Sequence, residues 1–447
     1  MDIQIIIVIL FIGGYLAITL EHTLKIDKLI PALGMMAVLW SIISLGHLDV
    51  FNVNSDLKQL EPTHLAEILL HHLGKTAEIL VFLIGAMTIV EIIDYFDGFA
   101  TIKGFIRTKS KVSLLWIFSV LGFILSAIID NLTATIVLIT ILQKVINDRN
   151  TRLWFVGLII ISANAGGAWS PIGDVTTTML WIANKVTTTQ LILHTFLPSV
   201  LCMVIPVLIA SRYKVFSGEI DTELKSEEAA SKYGATMLYL GLGMIVFVPL
   251  FKTVTHLPPY IGMMLSLAVV ATMAEIYSNR MFDLTSVGED HDASEAAAHH
   301  SPVHKSLGRV EMPSILFFLG ILMAVAALES LGMLFNFATA LDHVVPNRDI
   351  VVGILGLGSA VIDNVPLVAA SIGMFSEPLD SPLWHFIAYS AGTGGSILII
   401  GSAAGVVAMG MEKINFFWYL KKIGILALLG FVAGGLAFIL LRDFVLV

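Results

Sequence analysis

The chain has 447 residues, of which 57% are hydrophobic and 13% charged, and its formal net charge is −9 at pH 7. A soluble domain carries about a quarter charged residues, so a water-soluble fold is excluded and the lipid bilayer is the expected solvent. The acidic balance argues against a nucleic-acid partner, which selects basic patches, and the single cysteine, Cys202, excludes an internal disulfide.

The N-terminus runs directly into apolar residues, without the basic region of a signal peptide or the Arg/Ser-rich character of a transit peptide. Residues 3–20 are therefore expected to be a first span rather than a removed leader. Further apolar runs long enough to cross a bilayer occupy 29–45, 78–97, 191–211, 235–252, 258–277, 312–335 and 420–441. The segment 61–76 (EPTHLAEILLHHLGKT) reads as an amphipathic helix at the interface. The run 112–146 is different. As one helix it would reach about 52 Å against a hydrocarbon core of about 30 Å, so it must break or fold back. The overlong region 153–183 contains the helix-poor stretch GGAWSPIGD, and 350–374 and 384–410 are the counterparts of these two regions. Polar segments lie at 212–233 and 278–310; His291, His299, His300 and His304 in the second read as part of a solvated linker rather than a metal site.

Basic residues set the orientation. Lys25 and Lys28, then Arg107, Lys109 and Lys111, then Lys144, Arg149 and Arg152, then Lys413, Lys421 and Lys422 mark cytoplasmic loops. The stretches 46–60, 184–190, 253–259 and 375–385 are poor in basic residues and read as external. Basic flanks on both sides of 112–146 make it a re-entrant hairpin entering from the cytoplasm, with Asp130-Asn131 near its tip. The flanks of 350–374 place the second hairpin on the outside.

Three blocks recur in the same order: EILVFLIGAM (78–87) and SILFFLGILM (314–323), SAIIDN (126–131) and SAVIDN (359–364), NAGGAWSPIGD (164–174) and TGGSILIIGS (393–402). Three collinear matches imply duplication, and an odd number of crossings per half makes the copies inverted, the architecture of secondary transporters. The fold class is thus an all-α polytopic membrane protein of two inverted-topology repeats, each with a re-entrant helical hairpin and an unwound transmembrane helix. Residues 1–211 form the first repeat, 212–234 a cytoplasmic linker and 235–447 the second repeat, which includes the cytoplasmic loop 278–310.

Ionisable residues at membrane depth are rare and mark function. Asp130 and Asp363 sit at the hairpin tips, and Asp174 lies in the first unwound stretch. Asp and Asn there could also cap the following helix. With Asn131, Asn364, Asn164, Thr133, Ser126 and Ser359 they make an oxygen-rich anionic pocket that suits a hard cation and repels an anionic solute. Protons compete with the metal ion for carboxylates taken out of water, which points to cation/proton antiport by alternating access. No G-x-x-x-x-G-K-[ST] loop is present, so coupling falls to an ion gradient.

The two D-N tips together with SANAGGAWSPIGDVTTTMLW (162–181) resemble the NhaD-type sodium/proton antiporters of the ion transporter (arsenite/NhaD-like) superfamily, over nearly the whole chain. The resemblance implies Na+ or Li+ export driven by protons, an elevator-like transport domain, a homodimer and a place in the cell (inner) membrane. The transported ions are the only small molecules it calls for, with no cofactor. The residues it carries over are Asp130, Asn131, Thr133, Asn164, Asp174, Asp363 and Asn364, with Ser359 and Ser396 as helpers and Ser402 standing where the first half has Asp174. Na+ would be held through Asp130, Asp174 and Asp363. It also makes His71 and Glu78 candidates for pH response or the ion path, although Glu78 could simply begin a helix against its dipole. Glu329, deep in the matching span, is a third such candidate, whereas Glu91, Asp94 and Asp97 read as a solvated helix end. Two rival readings are a sodium-coupled anion or carboxylate transporter of the same superfamily and an intramembrane aspartyl protease, which needs paired aspartates for general acid–base catalysis.

Overall fold

Lipid offers no hydrogen-bond partners to a backbone, so apolar runs in a bilayer fold as helices that satisfy their own N–H and C=O groups. The computed structural model describes residues 3–19, 21–54, 59–105, 108–220, 233–285, 301–345, 347–361 and 363–444. His291, His299, His300 and Arg107 lie outside the described residues. The first part contains α1 (Ile3–Thr19), α2 (Leu29–Leu45), β1 (Val50–Asn54), β2 (Gln59–Thr63), α3 (Leu65–Tyr95), α4 (Lys111–Ile129), α5 (Asn131–Val145), α6 (Arg149–Gly167), α7 (Val175–Ile182) and α8 (Thr188–Ala210). The second contains α9 (Gly234–Thr255), α10 (Pro259–Thr285), α11 (Pro302–Leu307), α12 (Met312–Ser330), α13 (Met333–Val344), α14 (Arg348–Gly358), α15 (Asn364–Met374), α16 (Pro382–Gly394), α17 (Ala403–Glu412) and α18 (Ile425–Phe444). Among the described residues, 7 helices are long and apolar enough to cross a membrane, which makes this a mostly helical, multi-pass membrane protein.

The region before α3 departs from the sequence expectation. Residues 61–76 do not form a separate interfacial helix: β2 pairs antiparallel with β1, Val50 opposite Thr63, and α3 then runs unbroken for 31 residues. Pro62 biases Glu61 towards extended backbone, and nothing from Leu65 onward interrupts the helix. At 1.5 Å per residue α3 reaches about 46 Å, beyond the bilayer core. Glu78 consequently lies in the middle of a helix and does not begin one.

The overlong apolar runs are broken. Asp130 alone separates α4 from α5, at φ 81°. Residues 359–363 separate α14 from α15. The helices α7 and α17 follow non-helical stretches that end in nearly identical extended backbone, φ −149° and ψ 152° at Asp174, φ −146° and ψ 153° at Ser402.

The same packing partnerships occur in both parts. α1 packs on α2 as α9 packs on α10, α4 on α6 as α14 on α16, and α5 on α6 as α15 on α16. Others cross between the parts in matched pairs: α10 packs on α3 as α2 on α12, and α17 on α5 as α7 on α15. The core sits around α6 and α16, where all residues from Phe155 to Gly167 and from Trp384 to Gly394 are buried. Lipid tails are as apolar as leucine, so helices there gain by close van der Waals approach, which small residues allow. A methyl group on Gly166 would collide with the Phe123 carbonyl of α4, and one on Gly394 with the Gly356 carbonyl of α14. Beside each contact a serine bridges the same helix pair: Ser126 Oγ donates to the Ala163 carbonyl and Ser359 Oγ to the Ala391 carbonyl.

The end of α17 is held by a buried ionic contact. Glu412 Oε1 accepts from Arg152 Nε at 2.7 Å and Gln143 Nε2 at 2.9 Å, while Arg149 Nη2 donates to the Glu412 and Lys413 carbonyls. Lys413 terminates the helix in the left-handed region, φ 50°.

Candidate functional site

At the first tip, the positive φ of Asp130 is uncommon for a residue with a Cβ, and local hydrogen bonds hold it. Asp130 Oδ1 accepts from the Thr133 amide at 2.8 Å and Oδ2 from Thr133 Oγ1 at 2.9 Å, so this carboxylate caps α5. The next residue faces inward. Asn131 Nδ2 donates to Asn164 Oδ1 at 2.9 Å, Asn164 Nδ2 donates to Ser402 Oγ at 3.0 Å, and Ser402 Oγ accepts from the Gly405 amide at 3.2 Å. This buried chain runs from the first tip, through α6, to the start of α17.

The second tip makes the reciprocal connection. Asn364 Nδ2 donates to Asp174 Oδ2 at 2.8 Å, and Thr176 Oγ1 donates to the same oxygen at 2.9 Å. Asp174 is only 3% exposed, and among the described residues no basic side chain lies within ion-pair distance of it. The second part has Gly392 where the first has Asn164. A methyl group there would stand 3.8 Å from Asp174 Oδ2. One connection is thus asparagine plus serine and the other glycine plus aspartate, so the longer reach of Asp174 replaces the missing Asn.

Asp363 behaves unlike Asp130. It makes no side-chain cap bond. Thr133, which holds Asp130, stands three residues after it; the residue three after Asp363 is Pro366, which has neither N–H nor hydroxyl. The Asp363 carboxylate turns instead to Lys28, with Nζ–Oδ2 at 3.2 Å. The Lys28 ammonium also lies 4.5 Å from the centroid of the Phe317 ring. The three aspartates therefore have three different partners, and among the described residues no three carboxylate, His or Cys side chains gather in a group able to hold a metal ion.

The remaining candidates are spread more widely. Ser396 Oγ donates to the Thr393 carbonyl at 2.7 Å, and its own carbonyl accepts from Tyr419. His71 is exposed on α3, its ring 5.6 Å from that of His72. Glu78 is half-buried, in electrostatic reach of Lys252, which donates to the Trp181 carbonyl at 2.9 Å. Glu329 ends α12 against Gly373, with Lys75 and Lys185 as the basic groups that act on it. His304 belongs to α11, its amide donating to Ser301 Oγ. Sequence reasoning missed two contributors. Thr176 was visible only as one of three threonines after Asp174, and Lys28, read as a loop charge, folds inward onto Asp363.

A family model described as citrate transporter (CitMHS) matches residues 6–384. Sodium/proton antiporter 1 of Arabidopsis thaliana is 40% identical over 441 residues, covering 97% of this chain and 72% of that protein. Sodium/proton antiporter 2 of the same plant is 37% identical over 98% of this chain and 99% of its own. The Na(+)/H(+) antiporter NhaD of Vibrio cholerae is 31% identical over 455 residues, covering 97% and 91%.

Proposed function

Because this chain belongs to the citrate-transporter (CitMHS) family and, within it, to the NhaD-type sodium/proton antiporters, we infer that it exchanges sodium ions for protons across a membrane. It is a secondary transporter and not an enzyme. The exchange moves Na+, and with it Li+, outward across the cell (inner) membrane in return for protons.

The observation that carries this reading is the buried Asp174 carboxylate, bonded by neutral donors from its own helix and from the opposite part of the chain. A carboxylate removed from water without a basic partner is costly. A proton or a hard cation relieves that cost, and two ions that satisfy one group in turn are exchanged for each other. Asn131, Asn164, Ser402 and Asn364 supply oxygen atoms around the same region, with Asp130, Thr133, Asp363, Ser359 and Ser396 on the flanking segments. In this reading Asp130, Asp174 and Asp363 act in succession along the path, which fits their separate partners better than a single three-carboxylate cage.

The recurring partnerships, the broken helices and the matching backbone at Asp174 and Ser402 support two inverted repeats, 1–211 and 235–447, each with a re-entrant hairpin and an unwound helix, joined through 212–234. A homodimer follows the family resemblance. His71, Glu78 and Glu329 are assigned to the entry path or to pH response. The family description favours the alternative of a citrate-like anion, but a bare buried carboxylate opposes an anionic solute. The protease reading needs two aspartates sharing one proton; Asp130 is engaged as a cap and Asp363 by an ammonium.

The test is an imposed proton gradient in everted membrane vesicles carrying the protein. Addition of Na+ or Li+ collapses the gradient in the wild type and fails to do so in Asp174→Asn. A gradient indifferent to sodium, or collapsed equally by citrate alone, overturns the reading.

A further inference from the structure

We propose that Lys28 is a tethered counter-cation of the transport site: its ammonium occupies the Asp363 carboxylate when no sodium ion is bound and must be displaced when one binds, so it sets the affinity for sodium. This rests on the sodium/proton exchange reading above.

Nothing in the local structure requires a lysine here. Lys28 stands at the N-terminal end of α2, where the helix dipole disfavours a positive charge. The cap is already supplied by Asp27, whose Oδ1 accepts from the Leu29 amide at 2.9 Å. A residue that breaks a local rule without local gain points to a role elsewhere. That role is visible at the second tip. Pro366 denies Asp363 the donors that Thr133 gives Asp130, and Lys28 is the group that fills the vacancy.

The pair is built to open. Both side chains are partly exposed, 23% for Lys28 and 14% for Asp363, so neither charge is sealed. The Phe317 ring gives the ammonium a second resting place on its face once a sodium ion takes the carboxylate. A bound Na+ and the ammonium carry the same charge and compete for the same oxygen. Lys28 acts as a positioning residue, not as a carrier.

The half-saturating sodium concentration, measured by gradient dissipation in everted vesicles, reads this competition. Lys28→Gln removes the competitor, and the half-saturating concentration is expected to fall about 3- to 10-fold. Lys28→Arg keeps a permanent charge with a bidentate fork, and the value is expected to rise. A merely structural lysine would lower the maximal rate or the melting temperature without tightening sodium binding. Should Lys28→Gln fail to yield folded protein, Lys28→Arg alone decides. An unchanged or weakened sodium affinity in Lys28→Gln, or an unchanged one in Lys28→Arg, overturns the proposal. Wild-type vesicles run in parallel separate the two levels: wild type indifferent to sodium removes the exchange reading itself, whereas active wild type with indifferent variants removes only the role of Lys28.

Discussion

The side-chain amide of Asn364 donates to Asp174 Oδ2 at 2.8 Å, joining the tip of the second broken run to the unwound stretch of the first part. Each partner lies within 3% of full burial, so neither can turn to water if the other is removed. That dependence fixes the first prediction. Asn364→Ala leaves a buried acceptor short of one donor, at a cost of about 1–3 kcal/mol. Sodium-dependent gradient dissipation should drop about tenfold or more, since each 1.4 kcal/mol is a factor of ten. Asn364→Asp places two carboxylates in contact and should be worse than alanine. Transport equal to wild type in both would remove Asn364 from the site.

A second prediction concerns the close helix approach. Gly166→Ala drives a methyl into the Phe123 carbonyl, which belongs to rigid backbone and cannot yield. Misfolding or loss of exchange is expected. Gly243→Ala in α9 has nothing within 4 Å of the added carbon, and should be neutral or stabilising by about 1 kcal/mol from helix propensity. Thermal unfolding of the two purified variants in detergent checks the contrast.

The ionic contact at the end of α17 gives a third. Glu412→Ala strands Arg152 and Gln143 beside a buried surface, and breaking such a pair costs about 3 kcal/mol. The melting temperature should fall, and the connection between α5, α6 and α17 should loosen to hydrogen exchange. Glu412→Gln, which keeps an acceptor, should lose less.

pH enters through Asp148, an exposed residue in the turn between α5 and α6. The Thr151 hydroxyl and amide, the latter at 2.9 Å, hold its carboxylate below the usual range. The folded value is depressed, so the contribution is fully present above the unfolded value and is lost as pH falls through the folded one. At neutral pH Asp148→Ala should cost about 1 kcal/mol, the usual worth of such a cap. Below about pH 4, where free carboxylates protonate, the difference in melting temperature between wild type and variant should shrink towards zero. A gap that persists in acid would mean the cap does not depend on charge.

Much of this was legible in the sequence because length and periodicity are strong signals in lipid. A run too long for one span had to break, and it breaks at Asp130. The repeated SAIIDN and SAVIDN blocks marked both interruptions, whereas Gly166 and Gly394 prove to lie within α6 and α16 and to serve close helix approach. Other features were hidden. The β1–β2 hairpin lies in a polar segment whose alternation is weak, and residues 65–76, read as a separate interfacial helix, are the first turns of α3. Side-chain partnership was least readable. Asp130 and Asp363 occur in six-residue blocks that differ at one position, yet Thr133 against Pro366 sends one to a cap and the other to a lysine from the far end of the chain. A contact between residues 28 and 363 depends on which helices lie side by side, and no local pattern encodes that.

Two of the crossed contacts, α5 with α17 and α7 with α15, have a practical corollary. Asn131 finds its terminus at Ser402, and Asp174 finds its amide at Asn364, so a chain cut between α8 and α9 would leave two incomplete fragments. Each would hold stranded polar groups until it met the other. The protein is in this sense two interlocked parts, each of which completes the buried hydrogen bonds of the other.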